Sequence, residues 1–281
     1  MSRFQAESLL LGCAADGAVL LTDPVQPGAA VDILATLPVE RSAGATAAGL
    51  AAALPGLQLD TRVAAGQKCA LTVTLDDGLC RSFVVTPPRG ARGLRELRAS
   101  AAARFAALYG ESAEQWLVVA DWHALAPFVA SALPRALWQA LQQLAQTRGW
   151  RLASVSPAFV RVGNRLCASI PADGCLLVGF AQTLTLLATR ADQVAGLRSL
   201  RLAAAPDLAE LETLLEQELL RLPAATERGR QSLLWAGAAD WLPAAATLAG
   251  VASRVIPSRR VVTPAGGQST AGQLASAGSC R

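Results

Sequence analysis

LLLGCAADGAVLL, from Leu9 to Leu21, runs apolar, turns polar and glycine-bearing, and then runs apolar again. CLLVGFAQTLTLL, from Cys175 to Leu187, has the same shape. Each reads as a strand, a tight polar link and a returning strand, because two apolar runs of strand length flank a short break. One hairpin made twice, far apart in one chain, predicts a lobe made twice.

The flanking sequence supports that division. Strand-type runs are readable at 8–13, 17–22, 31–39, 69–75 and 79–86, then a helix from Leu94 to Leu108 that stops at Gly110. WLVVADW (116–122) reads as a short strand, LPRALWQALQQLAQTRGW (133–150) as a second helix, and 151–166 as a strand with a Pro-marked break and an apolar continuation. The second half repeats the grammar. It has the hairpin at 175–181 and 183–189, a strand near 197–203, a helix over 207–222 with Asp207 as its N-cap, and a strand at 232–237. From about 258 the chain is rich in Gly, Ser, Ala and Thr without periodicity, which predicts a disordered tail. The expected division is a first lobe over 1–150, a second over 151–257 and a tail over 258–281.

Composition narrows the function. The chain has 281 residues, is 52% hydrophobic and 16% charged, and carries a net charge of +4, so it can bury a sizeable core. Its basic residues are scattered rather than massed in a stripe with aromatics, which argues against nucleic acid. The longest apolar stretches fall short of the roughly 20 residues that a membrane-spanning helix needs. No signal pattern opens the sequence, so a cytoplasmic location is expected. The six cysteines show no CxxC spacing and read as buried small hydrophobes.

The order of hairpin, strands and helices, given twice, is that of the ribonuclease-H-like unit duplicated in actin-like ATPases. The fold class expected is therefore α/β, a duplicated, two-lobed actin-like fold. The stretches CALTVTLDDGLCRSFVVTPPRGARGLRELRASAAARFAALYG (69–110) and WLVVADWHALAPFVASALPRALWQALQQLAQTRGWRLASVSPAFVRVGNRL (116–166) resemble the actin-like pilus-assembly and secretion scaffolds. That family includes PilM of type IV pili and the cytoplasmic domain of GspL of type II secretion. The resemblance spans roughly residues 8–256 and is one of pattern and order. It implies a cytoplasmic scaffold of an inner-membrane assembly platform. Such a scaffold grips a short N-terminal peptide of a bitopic membrane protein and communicates with an assembly ATPase. The candidate walls for that peptide are 79–109 and 116–128, with Trp122 and Phe128 as contact residues.

In actin-like ATPases both hairpins wrap the nucleotide phosphates, and each begins with an aspartate that holds magnesium or its waters. Here Gly12 and Cys13 stand where the first acid would fall, and Asp16 lies in the turn instead. The second hairpin has Val178 and Gly179, with no carboxylate from 174 to 189. A magnesium ion would lack its hard oxygen ligands, so a non-catalytic protein with neither metal nor cofactor is expected. Two alternatives stay open. One is weak ATP binding through Gly12, Asp16, Gly17, Gly179, Thr183 and Gly237; the other is a sugar-kinase-like enzyme.

The sole histidine, His123, reads as a strand-end residue rather than a general base acting with Asp121. Asp76–Asp77–Gly78 reads as a hairpin turn between two apolar runs.

Overall fold

The computed structural model describes residues 8–23, 31–39, 46–59, 69–221, 232–256 and 269–279. The chain runs β1 (Ser8–Ala14), β2 (Gly17–Thr22), β3 (Ile33–Pro38), α1 (Ala47–Ala53), β4 (Ala70–Leu75) and β5 (Arg81–Val85). Then come α2 (Leu94–Tyr109), β6 (Trp116–Ala120), β7 (Phe128–Pro134), α3 (Arg135–Arg148), β8 (Arg151–Pro157) and α4 (Ala158–Arg165). The rest comprises β9 (Gly174–Phe180), β10 (Thr183–Arg190), β11 (Gln193–Arg201), α5 (Leu208–Arg221), β12 (Ser232–Gly237), β13 (Thr247–Leu248), β14 (Val251–Val255) and α6 (Thr270–Ala277).

Two sheets share one design. The first has the order β3-β2-β1-β4-β8, antiparallel through the hairpin and parallel from β1 onward. The second has the order β11-β10-β9-β12-β14, antiparallel and then parallel at the matching places, with β13 added at the edge. In both, the first strand of the hairpin lies at the centre. That position explains why β1 and β9 read as continuous apolar runs: a central strand is buried on both faces. A third sheet, β5-β7-β6, is separate and packs through Phe83, Val85, Phe128 and Ala130 against Leu97, Ala101 and Phe105 of α2.

Local chemistry fixes the ends of the helices. Gly110 and Gly149 close α2 and α3 in the left-handed region, at φ 67° and 71°. Asp207 and Glu210 cap α5 reciprocally: the Glu210 amide donates to Asp207 Oδ1 at 2.8 Å and the Asp207 amide to Glu210 Oε2 at 3.1 Å. Buried Glu218 ties α5 to β11, accepting from Arg198 Nε at 3.0 Å and from Arg221 Nη1 at 2.5 Å.

Contacts divide the chain into two units that do not follow the linear division at 150 and 257. Unit 1 holds the described residues within Met1–Leu79, Pro134–Arg161 and Arg259–Arg281; unit 2 holds those within Cys80–Leu133 and Val162–Ser258. The chain crosses between the units several times. Crossings of that kind depend on contacts remote in sequence, which periodicity does not register.

The disordered tail is also corrected. Its residues 258–268 and 280–281 lie outside the described residues. Residues 269–279 instead carry α6, which packs in unit 1 with Ala271, Leu274, Ala275 and Ala277 buried. Ser269 Oγ caps it by accepting from the Gly272 amide at 3.1 Å. Ser279 Oγ, just past its end, donates to Asp23 Oδ1 at 3.0 Å. Burial of Leu274 and the close fit of small residues offset the ordering entropy that composition alone left uncompensated.

Two smaller expectations change. The apolar continuation after Pro157 is helix α4, because Asp77 Oδ1 accepts from the Phe159 amide (3.1 Å) and caps its first turn. Asp76–Asp77–Gly78 is not a hairpin turn: β4 and β5 belong to different sheets, and the aspartates sit in the link between them.

Candidate functional site

The six nucleotide candidates fall three in each unit. In unit 1, Ala14 pairs with Gly17 across a two-residue turn that holds Asp16. The Asp16 carbonyl accepts from the Val39 amide at 2.9 Å, which binds the turn to the end of β3. Gly12, at the middle of β1, faces helix α6. A Cβ there would lie 1.8 Å from the Ala271 carbonyl oxygen and 2.4 Å from the Ala275 nitrogen. Gly17 has φ 150°, and its Cβ would lie 2.2 Å from the Leu37 oxygen. Both glycines admit neighbouring backbone that any side chain would exclude.

In unit 2 the arrangement is local. Gly179 of β9 pairs with Gly237 at the end of β12, which has φ 119° and would place a Cβ 2.0 Å from the Gly179 oxygen. Beyond Gly237 the chain curls over the hairpin. The amides of Ala238 and Ala239 both donate to the Gly179 carbonyl, at 3.0 and 3.2 Å. Trp241 then lays its indole on Gly179, where a Cβ would sit 2.9 Å from Cη2, and donates Nε1–H to the Ala181 carbonyl at 2.5 Å. Thr183, across from Phe180 in the ladder, is buried at the start of β10. The structure thus joins Gly179 and Gly237 directly, while the glycines of each hairpin receive packing from their own unit.

Carboxylates that sequence reasoning assigned to a turn lie beside the first hairpin. Asp76 donates its amide to the Cys13 carbonyl at 2.8 Å and accepts the Gly78 amide on Oδ1 at 2.6 Å. Both Asp76 and Asp77 are buried. The turn reading caught their capping chemistry but not their place. Burial pushes the neighbouring Cys13 thiol, and Cys175 in β9, up to about 12. Among the described residues, no three of His, Cys, Asp and Glu gather into a metal site.

The peptide candidates divide. Phe128 is 3% exposed and belongs to the core under α2, so it offers no docking surface. Trp122 is half-buried, packed against Phe128 with ring centroids 5.8 Å apart and under Arg98 at 5.9 Å. On the same helix and sheet, Arg81 lies over the rings of Tyr109 and Trp116 and pairs with Glu111 at 2.7 Å. Glu111 also accepts Trp116 Nε1–H at 3.1 Å. Burial raises the Tyr109 phenol, against the opposing pull of Arg81. His123 is a loop cap: its Nδ1 accepts the amides of Leu125 (3.2 Å) and Ala126 (2.9 Å). Among the described residues, no helix is long and apolar enough to cross a membrane.

No protein-family model matches the sequence, and no curated protein does. Solved structures do. The chain is similar to the cytoplasmic domain of EpsL, an inner membrane component of the type II secretion system of Vibrio cholerae. The identity is 14% over 97% of this chain and 94% of that one, with a TM-score of 0.57. A chain of the PilM–PilN type IV pilus biogenesis complex matches at 16% identity over 90% and 88%, with a TM-score of 0.55. A Bacteroides thetaiotaomicron protein with an actin-like ATPase fold and unknown function matches at 10% identity over 85% and 86%, with a TM-score of 0.53. The fold is actin-like. Its duplicated unit is the pair of sheets with matching strand order, each centred on its own hairpin.

Proposed function

We propose that the protein is a non-catalytic scaffold of an inner-membrane assembly platform, of the type IV pilus or type II secretion kind. It works on the cytoplasmic side, needs no cofactor, and holds a short N-terminal peptide of a bitopic membrane protein while meeting an assembly ATPase. The observation that carries the reading is how the hairpins are closed. The glycine faces that an anion would approach are covered by α6 at Gly12 and by Trp241 at Gly179. The amides of Ala238 and Ala239 already donate to a carbonyl, and neither strand opening a hairpin carries a carboxylate. The fold shared with a secretion component and a pilus complex supports the platform over a metabolic role.

Half-buried Trp122, together with α2 and the edge strand β6, is the surface proposed for the peptide. A synthetic peptide from the cytoplasmic N-terminus of the neighbouring bitopic protein should bind in calorimetry, and Trp122→Ala should weaken it by about 1 kcal/mol or more. No binding at high micromolar peptide would remove the scaffold reading. Micromolar, magnesium-dependent ATP binding would instead favour the nucleotide alternative through Gly12, Asp16, Gly17, Gly179, Thr183 and Gly237.

A further inference from the structure

The sheet β5-β7-β6 ends in two loops that emerge side by side. Val85, the last residue of β5, pairs with Phe128, the first of β7, so the segment entering α2 and the segment entering β7 share one end of the sheet. Arg98 of α2, set over the Trp122 ring, joins the start of the helix to the second loop.

Leu125 crowns that second loop. It is 92% exposed, the most exposed large apolar side chain among the described residues. The loop that carries it is held in shape. His123 Nδ1 accepts the amides of Leu125 and Ala126, and Trp122 rests on Phe128, itself in the core. A loop whose backbone is already held in this way adds little ordering cost when its apolar side chain is buried elsewhere.

The segment that shares this end of the sheet is cationic. Arg89, Arg92, Arg95 and Arg98 are all exposed at this end, against the carboxylates of Glu96 and Asp121, an excess of two positive charges. Glu96 turns back to accept the Arg92 amide at 2.6 Å. Leu94, 42% exposed, adds apolar surface between the arginines. An exposed leucine at the crest of a loop, at the same end of the sheet as an arginine-rich segment, matches a soft surface with an apolar interior and anionic headgroups.

We propose that this end of segment 80–133 docks on the anionic face of a lipid bilayer. Leu125 enters the acyl region and Arg89, Arg92 and Arg95 meet headgroup phosphates. Trp122, an amphipathic ring at the base of the loop, lies at the depth where such rings settle. The docking goes beyond the scaffold reading: it adds direct contact with lipid to any contact made through a protein partner, and it is measured without one.

The test is co-sedimentation of the full chain with phosphatidylcholine vesicles, with and without about one third phosphatidylglycerol. Binding is expected only to the anionic vesicles and should weaken as salt rises. Arg92→Ala or Arg95→Ala should each weaken it about fivefold, and Leu125→Asp about tenfold or more. The melting temperature of Leu125→Asp should equal that of the parent, because the side chain it replaces lies in solvent. Equal binding to neutral and anionic vesicles, undiminished binding by Leu125→Asp, or no vesicle binding would each overturn the proposal. Leu125-dependent binding to an acidic peptide without vesicle binding would assign the surface to a protein instead.

Discussion

The two hairpins solve one packing problem with different material. At β1–β2 the face of Gly12 is covered by α6, a helix from the far end of the described chain, and the contact is backbone against backbone. At β9–β10 the face of Gly179 is covered by Trp241 and Leu242, which follow directly from β12, and the contact is made by side chains. A side chain can shift by a few tenths of an ångström, whereas a helix backbone moves only as a whole. The same glycine therefore matters differently in the two units, and the recurrence of the hairpin records the repeated fold rather than a repeated chemistry.

Truncation after residue 268 should have the largest effect, about 4 kcal/mol, since burial of Leu274 alone accounts for about 3 kcal/mol. Urea denaturation measures it, and a truncated chain as stable as the parent would show that α6 does not close the β1 face. Gly12→Ala follows at about 3 kcal/mol, because its methyl meets the Ala271 and Ala275 backbone. Gly179→Ala should cost only about 1 kcal/mol, as the indole edge gives way. Equal losses at the two glycines would erase the distinction between a helix cover and a side-chain cover. Trp241→Phe withdraws the outer indole ring from Gly179 and removes the bond to Ala181, which should also cost about 1 kcal/mol.

The thiols show their titration only at alkaline pH, and here the hairpins should agree. Cys13 and Cys175 titrate near 9 when unfolded and are pushed to about 12 when folded. Their contribution is therefore complete below pH 9 and is lost as pH rises from 9 towards 12. Cys13→Ala and Cys175→Ala should each flatten that alkaline decline in thermal melts. In the native chain at pH 8, a thiol reagent should modify exposed Cys167 and spare both buried thiols. Rapid labelling of either hairpin thiol would indicate that its unit opens.

What the sequence disclosed was chiefly local. Both hairpins, α2, α3 and α5 were legible because alternation, helical spacing, Gly110, Gly149 and Asp207 are all short-range signals. Helix α6 was not, because TAGQLASA is small and weakly patterned; its small residues are what allow the approach to Gly12. Strand β7 was hidden in the apolar stretch 125–134, which is why Phe128 looked like surface when it is core. At the candidate site, the lack of a carboxylate in β1 and β9 was evident from sequence. The closure of the glycine faces by Ala271 and Trp241 was not, since each depends on a partner that only folding brings near.

The partnership of β1 with α6 also bears on how the molecule is made. Synthesis proceeds from the N-terminus, so β1 leaves the ribosome long before α6 and must wait, with its central face uncovered, until residue 277 has emerged. The hairpin of Gly179 waits only for Trp241, 60 residues beyond the Ala181 carbonyl it bonds. Unit 2 can therefore complete its hairpin during translation, while unit 1 depends on a contact of very high sequence separation, the class that forms slowly and leaves apolar strands open to association. A chaperone that shields nascent apolar strands would have its longest task at Leu9–Leu21.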